Sequence, residues 1–165
     1  MELYLIRHGI AVDREAYTKD EERPLTDKGR QKTTKVAKQL YHRGLRFDLI
    51  LTSPLVRARE TAAILKNIGL SNQVEEFPSL APDGDIYVWV NWLELRRQNN
   101  TVENSVALVG HQPDLGNWAE TLVWGKSQEK LVLKKAGVIG IQIPETKTPL
   151  SQSELFLLTS PKWLL

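Results

Sequence analysis

Short runs resembling buried strands occur at Leu3 to Ile6, Leu49 to Thr52, Val74 to Phe77 and Ser105 to Val109, each followed by residues with helical periodicity. The first helix is predicted from a Thr26 cap to near Gly44, with Val36, Ala37, Leu40 and Tyr41 as its apolar stripe. A second runs from about Pro54 to Asn67, with Ala58, Ala62, Leu65 and Ile68 facing inward. Ile86, Trp89, Val90 and Leu93 predict a third helix over Asp85 to Arg97, and a fourth covers Leu115 to Trp124. After Gly137 the pattern changes to two β-rich runs, Val138 to Ile143 and Leu155 to Thr159, read as a hairpin closing one sheet edge. The alternation predicts an α/β fold: a single three-layer domain over residues 1–165, with a mostly parallel central sheet of about six strands flanked by helices.

Composition narrows the classes of function. At 165 residues, 41% hydrophobic and 25% charged, the chain is expected to be a soluble globular domain with no membrane span. A formal charge of +2 without a long Lys/Arg block gives no reason to expect a nucleic-acid or membrane partner. The absence of cysteine excludes disulfides, thiolate metal sites and cysteine-nucleophile enzymes. Met1 and Glu2 run straight into the first strand with no basic, cleavable leader, which reads as cytoplasmic.

Open α/β sheets bind ligands at the carboxyl ends of their strands. There the first strand delivers Arg7, His8 and Gly9, the second Thr52, Ser53 and Pro54 with Arg57 a helical turn on, and the fourth Gly110, His111 and Gln112. Two of the three histidines therefore converge with two arginines on one edge. This set suits phosphoryl transfer: a neutral imidazole attacks phosphorus, and guanidinium forks hold the phosphoryl oxygens. Nearby cations disfavour the imidazolium form. Gly9 is expected to let the backbone bend so that a substrate can approach. Residues two apart on a helix point to different sides, so Arg57 rather than Arg59 is assigned to the site. Gly125, Lys126 and Ser127 do not complete a nucleotide-binding loop, because position 120 is Glu. Asp83 and Asp85 read as turn and cap residues, and Trp89, Trp92, Trp118 and Trp124 as packing residues.

Arg7-His8-Gly9, the stretch from Ser53 through Arg57 to Thr61, Gly110-His111, and Arg23-Pro24-Leu25-Thr26 with Gly29 together resemble the histidine phosphatase superfamily, with its phosphoglycerate mutase-like fold. The compact length and the Ala81 to Asp85 stretch look most like its SixA branch of phosphohistidine phosphatases. The resemblance implies a phosphorylated His8 intermediate, a phosphate pocket of Arg7, Arg57 and His111, Arg23 reaching in from its loop, and no metal or cofactor. Many relatives carry an acidic residue on a helical insertion between the third and fourth strands, whereas the gap from Phe77 to Ser105 holds only one predicted helix here. Asp85 is the candidate general acid, although a helix start favours its charged form. A short crossover leaves the site open to a phosphohistidine on a signalling protein, and imidazole needs little help from an acid to leave. The expected partner is such a phosphorylated protein, met by a monomer. The competing readings are a small-molecule phosphomonoesterase and a non-catalytic phosphate-binding module.

Overall fold

The computed structural model describes all residues, 1–165. Six strands, β1 (Glu2–Arg7), β2 (Leu49–Thr52), β3 (Val74–Glu76), β4 (Ser105–Gly110), β5 (Val138–Gln142) and β6 (Glu154–Thr159), form one sheet in the order β3-β2-β4-β1-β5-β6. The first four are mutually parallel, and β5 and β6 add an antiparallel hairpin beside β1.

Strand alternation splits the core into two layers. Leu3, Leu5, Leu49, Leu51, Val106 and Leu108 face a cluster built on Ile86, Trp89 and Leu93 of α3 (Ile86–Gln98) and Leu115, Trp118 and Leu122 of α4 (Asp114–Trp124). Tyr4, Ile6, Ile50, Ala107 and Val109 face Val36, Ala37 and Leu40 of α1 (Asp27–His42) and Ala58, Ala62 and Leu65 of α2 (Val56–Ile68). With both faces covered, the central strands must be apolar throughout, and β1, β2 and β4 are therefore the legible ones. None of the helices is long and apolar enough to cross a membrane.

The α1 start follows the sequence expectation: the Thr26 hydroxyl accepts the Gly29 N–H at 2.9 Å. By contrast α2 begins two residues later than expected, because Ser53 Oγ takes the Leu55 N–H and the first helical bonds return to the Leu55 carbonyl. Trp89 and Trp118 are buried, but Trp124 is half exposed at the end of α4, where Gly125 turns the chain away in the left-handed region. The short α5 (Pro161–Leu164) and three 3-10 turns, Arg14–Ala16, Asp20–Glu22 and Pro78–Leu80, were not anticipated.

Candidate active site

His8 and His111 lie just beyond the ends of β1 and β4, locked by backbone bonds from His8 N–H to the Gly110 carbonyl (3.0 Å) and from Ser53 N–H to the Val109 carbonyl (2.9 Å). Their rings stand 5.1 Å apart, and they are 6% and 4% exposed. The Gly9 carbonyl can only accept, so the 2.7 Å contact with His8 Nδ1 places the ring proton there. The lone pair is then on Nε2, which receives the Arg57 Nε–H at 3.3 Å. Burial, joined by the charges of His111, Arg57 and Arg7, pushes the His8 imidazole down to about 3 against the pull of the Gly9 carbonyl. Burial and the Arg57 charge push His111 down to about 4. Both rings are neutral at physiological pH.

The α2 sequence organises this end of the sheet through residues on one helical face. Arg57 is buried and reaches His8; Glu60 accepts the Leu25 N–H at 2.6 Å and pairs with Arg30 at 2.8 Å. One residue on, the Thr61 hydroxyl takes the Gly9 N–H (3.1 Å) and donates to the Arg57 carbonyl (2.8 Å). Ser53, just ahead of the helix, meets His111 Nε2 at 2.8 Å. Arg59 points the other way, into an exposed pair with Glu76.

These side chains open onto a cavity of about 370 Å³ whose lining contains no hydrophobic residue. Arg7, Arg14, Arg23, Arg57 and Lys135 face Asp20, Asp83 and Asp114 around the two histidines. Asp20 sits among the guanidinium groups, accepting from Arg23 Nε (2.8 Å) and Arg57 Nη2 (3.0 Å), while its backbone carbonyl takes Arg57 Nη1 (2.8 Å). Partial burial raises the Asp20 carboxyl, but its bonds to Arg23 and Arg57 overcome this and hold it below the usual carboxylate range. Arg7 donates Nη1 to the Leu133 carbonyl at 2.9 Å, leaving its buried Nε, like His111 Nδ1, without a protein partner. Buried polar atoms are rarely left unsatisfied, so an acceptor-rich ligand would complete this pair. A larger depression of about 660 Å³ at the opposite, amino-terminal end of the strands, around Arg97 and Asn100, has no such convergence.

Arg7, His8, Arg23, Arg57 and His111 are thus brought together, while two sequence expectations need correction. Gly9 does not line the cavity and is not in the left-handed region; it is small because a Cβ there would lie 2.3 Å from Thr33 Oγ1 of α1. Its contribution is the carbonyl that orients His8 from behind. Asp85 also lies off the cavity, capping α3 by accepting the Tyr87 N–H at 2.9 Å. Sequence reasoning missed Asp20, Asp114 and Lys135; the sole available signal was Asp20 standing three residues before Arg23. No group of three or more His, Asp or Glu side chains is arranged to hold a metal ion.

A neutral buried imidazole with its lone pair aimed among guanidinium groups is equipped to accept a phosphoryl group. In agreement, residues 3–81 match the model of the histidine phosphatase superfamily (branch 1), and the chain resembles that superfamily, whose members are phosphatases with a histidine nucleophile. Over its full length it is 49% identical to an uncharacterised protein of Picosynechococcus sp., covering 99% of that protein. It is 28% identical to the phosphohistidine phosphatase SixA of Escherichia coli K12 over 131 residues, 77% of each chain. The solved structure of the protein histidine phosphatase SixA complexed with tungstate shares the fold, with a TM-score of 0.86 at 23% identity over 100% of both chains.

Proposed function

We propose that this chain removes the phosphoryl group from a phosphohistidine on a partner protein, through a phosphorylated His8. The observation that carries this reading is His8 itself: buried, neutral, with Nδ1–H tied to the Gly9 carbonyl and the Nε2 lone pair turned to the Arg57 guanidinium, whose long 3.3 Å bond a phosphoryl group would replace. In the first step the Nε2 lone pair bonds to phosphorus while the substrate's P–N bond breaks, and the departing ring leaves as neutral imidazole once its other nitrogen is protonated. Arg7, Arg23 and Arg57, with the unpartnered His111 Nδ1, hold the phosphoryl oxygens through the transition state. In the second step water attacks phospho-His8 and releases inorganic phosphate. No step calls on a metal or cofactor.

Two features favour a protein-borne phosphohistidine. The cavity lining is charged and polar apart from Pro82 and Pro113 and offers little to grip the body of a small metabolite, so discrimination rests on the phosphoryl group and on contacts outside the cavity. The Escherichia coli relative is a phosphohistidine phosphatase. The test is transfer of labelled phosphate from a phosphohistidine protein: the wild type is expected to give an acid-labile phosphoenzyme, and His8→Ala to lose turnover by roughly a thousandfold or more. Unchanged hydrolysis in His8→Ala would overturn the nucleophile. Turnover of small phosphomonoesters equal to or better than that of the phosphohistidine protein would overturn the substrate.

A further inference from the structure

We infer that Asp114, the first residue of α4, is the proton donor to the leaving group; this rests on the phosphatase reading above. Attack at phosphorus runs in line, so the leaving group stands on the far side of the phosphoryl group from His8. His8 and Asp114 line the same cavity, His8 buried and Asp114 half-buried and so more open to solvent. The two walls differ in charge. Arg57, Arg23 and Asp20 come from α2 and the loop before α1, on one side of the sheet; Asp83 and Asp114 come from the starts of the α3 and α4 crossovers, on the other.

Elimination among the carboxyl groups of the cavity points the same way. Asp20 is committed to Arg23 and Arg57 and stays ionised, so it has no proton to give. Asp83 is exposed at the rim. Asp114 Oδ2 accepts the Asp83 N–H at 3.3 Å, which fixes one carboxyl oxygen and leaves the other for the substrate. The protonation state agrees with this geometry: burial raises the Asp114 carboxyl and the neighbouring Asp83 charge adds to the effect, against the Asp83 N–H bond and the backbone at the start of α4. The shift is towards the proton-holding form that an acid catalyst needs, whereas Asp85 caps α3 through the Tyr87 N–H and does not line the cavity.

A proton donor matters most where the leaving group is a poor one. Phosphohistidine and p-nitrophenyl phosphate expel groups that depart without much help, while an alkyl phosphate must expel an alkoxide unless it is protonated. The experiment compares wild type and Asp114→Asn on p-nitrophenyl phosphate and on an alkyl phosphomonoester such as a phosphoserine peptide. The expected result is a loss in kcat/KM of about a hundredfold or more on the alkyl ester and of less than about fivefold on the nitrophenyl ester, the second rate also reporting that the variant folds. Equal losses on both, no loss on either, or a wild type without measurable turnover of the alkyl ester would overturn the assignment. Failure of the phosphatase reading looks different: the wild type would then hydrolyse neither ester nor the phosphohistidine protein.

Discussion

Lowering the pH from 7 to 5 is expected to destabilise this fold through its two site histidines. His8 and His111 titrate at about 3 and about 4 in the folded chain, and at about 6.5 once unfolding returns them to water. Below pH 6.5 the unfolded chain therefore binds up to two protons that the folded chain refuses. Stability is fully present above about pH 6.5 and is lost progressively as the pH falls towards the two folded values. Integrating the difference from pH 7 to 5 gives about 2 kcal/mol for each ring and about 4 kcal/mol together, against a typical total of roughly 5–15 kcal/mol. The 5.1 Å between the rings reinforces the direction, because charging one makes charging the other harder.

Other shifted groups do not mimic this slope. Asp20 and Glu120 have depressed carboxyls and weaken the fold only when the pH drops into the carboxylate range. Asp114, raised by burial, acts in the opposite sense, its folded form binding a proton before the unfolded one does. The measurement is urea unfolding at pH 7, 6 and 5 and constant ionic strength, followed by the fluorescence of the buried Trp89 and Trp118. His8→Gln removes one of the two titrating rings and should roughly halve the slope. A wild type equally stable at pH 7 and 5, or a His8→Gln variant with the wild-type slope, would refute the claim that burial keeps these rings neutral.

Two further outcomes concern neighbouring residues. Gly9→Ala should cost about 1–3 kcal/mol from overpacking against Thr33 Oγ1. Because that hydroxyl is buried without a partner, Thr33→Ala alone should be nearly neutral and the double variant should recover most of the loss; a double variant as unstable as Gly9→Ala, in thermal or urea unfolding, would sink this account. Asp20→Asn removes a carboxylate that competes for the donors of Arg23 and Arg57, so calorimetric titration should show inorganic phosphate binding roughly three- to tenfold tighter. Weaker binding would mean that Asp20 orders the arginines more than it competes with the anion.

What was legible in the chain follows from range. The central strands announce themselves because both faces are covered, and Arg57 could be separated from Arg59 by helical geometry alone. Properties set by distant partners were hidden. Gly9 is glycine because of Thr33, 24 residues away and one layer out, so local reasoning assigned it to substrate approach. Asp20 lies in a charge-rich loop where only its spacing from Arg23 sets the carboxylate that turns inward apart from those left in solvent. Glu120 interrupts the apolar face of α4, yet it is 1% exposed, its oxygens accepting the N–H groups of Gln128, Lys130 and Leu131, a loop whose path the sequence does not show.

The site therefore combines a fixed part with an adjustable one. His8, Arg57 and His111 stand at the end of β1, in α2 and at the end of β4 and are cross-tied by Ser53, Thr61 and the Gly9 carbonyl, so the proposed nucleophile and its nearest donors are set before any ligand arrives. Arg14, Asp20 and Arg23 belong to the loop ahead of α1, held largely by charge rather than by apolar packing. Without ligand, Asp20 takes three donors from Arg23 and Arg57. An incoming phosphoryl dianion carries more charge and more acceptor oxygens than that carboxylate, and it alone can also reach the idle Arg7 Nε and His111 Nδ1. Exchange of Asp20 for phosphate would thus fall on a loop outside the sheet, while His8 and His111 are held at the ends of β1 and β4.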